Sequence, residues 1–209
     1  EGAPTPVTAF MAVAVKAAAF VAFFRLFLVG FLGAYSAWYP IVWWLAAVTM
    51  VVANILALAQ FNVKRMLAYS SVAHAGYLMV ALAAANETAA AGLLFYLLIY
   101  AVMNMGAFAV VMVVSRQGED NLSLEDYSGL GWSQPVLAVF LTIFLLSLAG
   151  FPGTGGFMGK IFLLQGAVDA ELWTLSVSGV LPTVVSDWCS GRLAGCGGGG
   201  EGGGGGRRG

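Results

Sequence analysis

Charge is what this sequence has least of. Nine lysines and arginines and ten aspartates and glutamates make up only 9% of 209 residues, for a net charge of −1. A soluble domain carries roughly a quarter charged residues, so a water-soluble globular protein is excluded. The few basic residues are scattered, which argues against nucleic acid as a partner. Cysteine is just as scarce: Cys189 and Cys196 both lie in the C-terminal tail, with no CxxC pattern. His74 is the sole histidine, and neither HExxH nor a dinucleotide-binding glycine fingerprint occurs. The sequence therefore proposes no disulfide, metal or cofactor site, and any redox chemistry must reside on other polypeptides. GTGGFMGK imitates a phosphate-binding loop, but five residues separate Gly153 from Gly159 and Ile161 follows Lys160. That motif needs four residues there, then Ser or Thr after the lysine.

What is there is apolar. Hydrophobic residues make up 60% of the chain, and the mean hydropathy is +0.89. The runs are long enough to span a bilayer as helices, for which about 20 residues suffice, so the fold class is all-α, a polytopic transmembrane helix bundle. Five full spans and a truncated sixth are expected: residues 5–32, 40–60, 64–85, 89–115, 135–167 and 172–186. Thr5 suits an N-cap and Pro6 the first helical position. The fifth run, beginning at Pro135, is longer than one crossing needs and contains GFPGTGGF. It reads as one span broken near residues 150–157, at Pro152, Gly153, Gly155 and Gly156.

Orientation follows from the flanking charges. Lys64 and Arg65 lie between the second and third spans, and Arg116 follows the fourth. The positive-inside rule makes that face cytoplasmic, leaving Glu87, Asp169 and Glu171 on the other, provided the fifth segment crosses once. The chain starts at Glu1 and meets a spanning helix almost at once, with no visible signal peptide, so it reads as a piece of a longer protein. Residues 187–209 form a glycine-rich, low-complexity tail that cannot bury a core. A shifted reading frame in GC-rich DNA is the expected origin of that tail, in preference to a genuine linker.

Two lysines stand out against this background. Lys16 sits inside AFMAVAVKAAAFVAFF with no acid nearby in sequence, and Lys160 follows the Pro/Gly break. A charge at bilayer depth costs at least ~2.5 kcal/mol, which makes function the default reading. The alternatives are snorkelling to the interface or a static pair with an acid on another helix. Burial disfavours an ammonium in general, and lysine, unlike arginine, can then release its proton. A break of this kind survives in a membrane only where it is buried in protein or lines a wet cavity, although a glycine-filled packing kink would look the same in sequence.

Two polar stripes could join the lysines. Ser70, His74 and Tyr77 fall at i, i+4 and i+7 in the third span, flanked by Tyr69 and Ser71; Tyr96, Tyr100 and Asn104 fall at i, i+4 and i+8 in the fourth. An imidazole with an ordinary pKa of about 6.5 suits a proton relay. Plain interhelical hydrogen bonding, worth about 0.6 kcal/mol per contact, is the competing account.

The runs GAPTPVTAFMAVAVKAAAF, AQFNVKRMLAYSSVAHAGYLMVALAA and LLSLAGFPGTGGFMGKIFLL carry a further signal. They resemble the antiporter-like membrane subunits of proton-translocating NADH–quinone oxidoreductase, respiratory complex I, and among these subunit N, across roughly residues 1–186. The resemblance implies a fourteen-helix bundle of two inverted five-helix repeats, of which this chain would carry about the second. It implies a non-redox subunit of a translocase, multi-pass in a bacterial inner membrane, with other complex I membrane subunits and the lipid bilayer as partners. NADH, flavin, iron–sulfur clusters and quinone would belong to the parent complex, with no cofactor in this chain. Lys16 would be the central lysine on the helix after the first broken helix, and Lys160 the terminal lysine on the second. Tyr96, Tyr100 and Asn104 occupy a stretch where sister subunits carry histidines and a lysine, so water would matter more here. The family's essential glutamate and the lysine on its first broken helix find no counterpart in this sequence, and the isolated chain is expected to be inactive. Related cation/proton antiporters and membrane-bound hydrogenases share the same lysines and break; a scaffold with static ion pairs is the remaining rival.

Overall fold

The computed structural model describes residues 5–60, 62–115, 130–170 and 172–173. Arg116, Glu171, most of the expected sixth span (172–186) and the tail (187–209) lie outside the described residues. Every described element is helical. Helix α1 starts at Thr5 and alternates α-helix (Thr5–Phe10, Lys16–Arg25) with π-helical turns (Met11–Val15, Leu26–Gly30). It is followed by α2 (Tyr35–Leu58), α3 (Val63–Ala84) and α4 (Glu87–Ser115). These four are long and apolar enough to cross a membrane. The fifth segment is two 15-residue helices, α5 (Pro135–Ala149) and α6 (Gly155–Asp169), separated by a turn at 150–154.

Helix α2 begins earlier than its sequence suggests. Pro40 lies inside it, where it has no N–H to offer the Ser36 carbonyl. An aromatic cluster holds the extra turn in place: Trp38 packs edge-on against Phe27 and Tyr35, with centroids 4.9 and 5.0 Å apart. Its indole N–H donates to the Phe31 carbonyl at 2.8 Å, and the Tyr35 hydroxyl reaches the Ala83 carbonyl at 2.8 Å. At the next turn Asn62 caps α3, its side chain accepting from the Arg65 amide at 3.2 Å. Ala85 then ends α3 in the left-handed conformation (φ 49°).

Asn86 does two jobs. Its Oδ1 accepts from the Ala89 amide at 2.6 Å and caps α4, while its Nδ2 donates to the Gly166 carbonyl of α6 at 2.8 Å. The α4–α6 seam is close because glycines line it. A Cβ on Gly92 would lie 3.0 Å from the Phe162 backbone, and one on Gly166 only 2.7 Å from Ala89 Cα. Small residues at such seams let helix backbones approach and pack by van der Waals contact.

The core runs through α3, which packs on α2, α4 and α6, while α4 also meets α1 and α5. Helix α1 is the outlier, with only Ala9 and Val13 buried among its described residues. Replacing Gly166 by Val should overpack the seam and destabilise the detergent-solubilised chain by about 1–3 kcal/mol, lowering its unfolding midpoint. Denaturation followed by circular dichroism checks this, and an unchanged midpoint would mean the seam is not as tight as described.

Candidate functional site

Lys16 opens the α-helical stretch that follows the first π turn of α1, and its side chain crosses to α3 and α4. Its ammonium donates to the Ser71 carbonyl, to Ser71 Oγ at 2.9 Å and to the Tyr100 hydroxyl at 3.5 Å, and stands 5.4 Å from the Tyr100 ring centroid. No carboxylate among the described residues is bonded to it. The π turn contributes directly. The Lys16 backbone N–H turns to the Val13 carbonyl, and the Ala12 carbonyl accepts the Tyr100 hydroxyl proton at 3.2 Å. Asn104 Nδ2 donates to the same hydroxyl at 3.0 Å. Tyr100 thus gathers three helix-borne groups at one oxygen.

One helical turn along α4, the Tyr96 hydroxyl is hydrogen-bonded to His74 Nδ1. His74, Tyr77, Tyr96, Tyr100 and Asn104 are all buried. The His74 ring lies 5.3 Å from the Tyr100 ring and 6.2 Å from that of Tyr77. Its Nε2 is buried and finds no hydrogen-bond partner among the described residues, a rare condition for a buried polar atom. Ser70, half-buried, contributes no hydrogen bond to this cluster; its neighbour Ser71 is the residue that meets Lys16.

Lys160 lies five residues into α6 and is 3% exposed. Its ammonium donates to the carbonyl of Ala149, the last residue of α5, and stands 5.2 Å from the Tyr77 ring centroid. Carbonyls at a helix C-terminus lack intrahelical partners and carry the negative end of the helix dipole. The break supplies that acceptor. Gly150 follows with φ 100°, a left-handed conformation that favours glycine, and a Cβ there would sit 2.9 Å from Lys160 Nζ. Pro152 and Gly153 form the turn itself, whereas Gly155 and Gly156 are the first residues of α6. Gly156 abuts the Ser147 carbonyl and its amide donates to Ser147 Oγ at 3.2 Å, while Ser147 Oγ donates to Met103 Sδ of α4 at 2.7 Å.

Of the residues singled out in the sequence, the half-buried Lys16 and the buried Tyr100, His74, Tyr96 and Tyr77 lie in a row that ends at Lys160, while Ser70 stands apart. Ser71, Ser147, Met103 and the carbonyls of Ala12 and Ala149 complete it. Sequence reasoning passed these over: Ser71 was visible only as a flank of the stripe, and the carbonyls carry no sequence signal. Among the described residues no group of three or more His, Cys, Asp or Glu could hold a metal ion.

Known proteins are similar to this chain in sequence and in fold. A family described as "NADH:quinone oxidoreductase/Mrp antiporter, TM" matches residues 1–186. NADH-quinone oxidoreductase subunit N of Trichlorobacter lovleyi is 51% identical over 186 residues, covering 89% of this chain and 38% of the relative. This chain thus spans well under half the length of the curated relative it matches. A chain of respiratory complex I from Thermus thermophilus, solved with bound aureothin, superposes with a TM-score of 0.80 at 38% identity, over 94% of this chain and 42% of that one. A chain of the Mrp complex from Dietzia sp. DQ12-45-1b shares the fold, with a TM-score of 0.79 at 22% identity over 85% and 33% of the two chains. The bacterial relatives and the apolar helices identify a multi-pass protein of the bacterial inner membrane. The chain belongs to the NADH:quinone oxidoreductase/Mrp antiporter transmembrane family and resembles subunit N within it.

Proposed function

We propose that this chain is part of subunit N of a proton-translocating NADH–quinone oxidoreductase, and that protons cross the parent protein along the buried row between Lys16 and Lys160. The observation that carries this reading is the Lys16 ammonium, which is held by a carbonyl, a serine hydroxyl and a phenol with no carboxylate bonded to it among the described residues. A static ion pair would neutralise the lysine with an acid; hydroxyl and carbonyl partners leave its proton exchangeable. Lysine suits the task because it can be deprotonated, as arginine in effect cannot.

In this mechanism Lys16 passes a proton towards Ser71 Oγ and the Tyr100 hydroxyl. His74 is the central station: Nδ1 is engaged with Tyr96, and Nε2 is the site at which water joins the row. Tyr77 lines the final stretch to Lys160, whose ammonium rests on the α5 C-terminus. The aromatic faces shape this stretch, and water carries the proton across it. Redox centres and quinone belong to other subunits, with which the chain assembles in the membrane. Translocation is a property proposed for the whole subunit, of which this chain covers a minor part. A subunit of a cation/proton antiporter is the second reading, favoured by the fold shared with the Mrp complex chain; sodium-dependent proton exchange without NADH oxidation would select it.

In inverted vesicles containing the assembled parent complex, Lys16→Ala and Lys160→Ala, installed separately, should each lower NADH-driven proton uptake by about 10²-fold, the lower range for a lost acid–base group. Full uptake in both variants would leave only the scaffold reading. Tyr96→Phe keeps the ring and removes the hydroxyl that engages His74. It should slow uptake by about tenfold while leaving assembly intact, a smaller effect than loss of either lysine. Proton uptake measured beside complex yield on native gels separates transport from folding.

A further inference from the structure

His74 and Tyr96 form a closed pair inside the bundle. They are 2% and 0% exposed, so this chain's own helices bury them and nothing further is needed to cover them. The Tyr96 ring is pinned from two sides. It stacks on the Tyr100 ring at 6.5 Å between centroids, and a Cβ on Gly159 of α6 would come within 2.7 Å of its Cδ2. Its hydroxyl is bonded to His74 Nδ1 and has no other hydrogen-bond partner among the described residues.

Proton counting decides the direction of that bond. A neutral imidazole carries one ring proton, on either nitrogen, and the other nitrogen is an acceptor. With the proton on Nδ1, the ring would donate to the Tyr96 oxygen. The Tyr96 O–H would then lack an acceptor, and the buried Nε2 lone pair would lack a donor among the described residues. With the proton on Nε2, the Tyr96 hydroxyl donates to Nδ1, and only the N–H at Nε2 is left for water to meet. One orphaned polar group replaces two, and each such group is costly in a buried site. The bond made at one ring nitrogen thus fixes what the other presents.

We infer that Tyr96 is a positioning residue whose hydroxyl holds His74 as the tautomer protonated at Nε2. Within the proton row proposed above, on which this role rests, the imidazole then offers a donor to the water at Nε2, and that water meets the ring with its oxygen. His74 accepts a proton only at Nδ1, after the Tyr96 hydroxyl turns away, so the phenol controls when the ring can be loaded.

His74 is the only histidine in the chain, so isotopic labelling of histidine nitrogen in the full chain, held in lipid nanodiscs, reports this ring alone. At about pH 8, above the ordinary imidazole pKa of about 6.5, nitrogen NMR should show Nε2 protonated and Nδ1 bare. That tautomer should prevail by about tenfold or more, the ratio that one orphaned buried group sets. Tyr96→Phe keeps the ring and removes the donor, and should bring the two tautomers near parity. Tyr100→Phe removes a hydroxyl that is bonded to Lys16, Ala12 and Asn104, and should leave the ratio intact. A protonated Nδ1 in wild type, alone or together with Nε2, would overturn the assignment. So would an unchanged ratio in Tyr96→Phe, or an equal collapse in Tyr100→Phe. Full proton uptake by parent complex carrying Tyr96→Phe, beside an altered ratio, would uphold the role of Tyr96 and remove His74 from the proton path instead.

Discussion

An ammonium group drawn out of water must be given oxygen, and both the half-buried Lys16 and the buried Lys160 take it from the backbone. Lys16 is held by the Ser71 carbonyl and Lys160 by that of Ala149. A carboxylate would bind Lys16 more firmly and fix its charge, and none among the described residues is bonded to it. A carbonyl carries a dipole and no net charge, so it solvates the ammonium while leaving it ionisable. The architecture follows from that requirement: the helix is broken after Ala149 where Lys160 needs an acceptor, and α1 takes a π turn where Tyr100 needs one.

Around these two contacts the helices are arranged by small residues and phenols. Glycines draw α6 against α4, which brings Lys160 to the same depth as the α4 stripe and sets Tyr96 beside Gly159. The phenols fill the volume between α3 and α4 and put hydroxyls where aliphatic side chains would leave His74 and Lys16 in hydrocarbon. The resulting cluster is polar inside, and among the described residues every helix from α1 to α6 carries exposed large apolar side chains.

Much of this was legible in the sequence, for identifiable reasons. Tyr96, Tyr100 and Asn104 recur at helical spacing on a helix with few other polar residues, so their common face is forced. The association of Lys160 with the break is equally plain, because glycine and proline mark where the backbone is interrupted. Ser71 was misjudged in favour of Ser70 because one residue is a rotation of about 100° on a helix, and only the packing of α2 and α4 decides which serine turns inward. The π turns of α1 left no trace in composition. Carbonyl acceptors are invisible for a simpler reason: every residue has one, and its availability is a matter of geometry. The start of α2 was missed because Pro40 reads as a helix beginning, whereas tertiary aromatic contacts extend the helix past it.

The Lys16 contacts also bear on how α1 is held against α3 and α4. Among the described residues of this helix only Ala9 and Val13 are buried, and its polar ties include the bonds from Lys16 to α3 and α4 and the one from Tyr100 to Ala12. A neutral amine has one donor fewer than an ammonium and no ionic attraction for a carbonyl dipole. In the proposed relay, release of the Lys16 proton would therefore weaken the grip of α1 on the bundle, and its return would tighten it. Under that proposal, occupancy of one nitrogen would bear on the seating of a whole helix, a latch worked by a single charge.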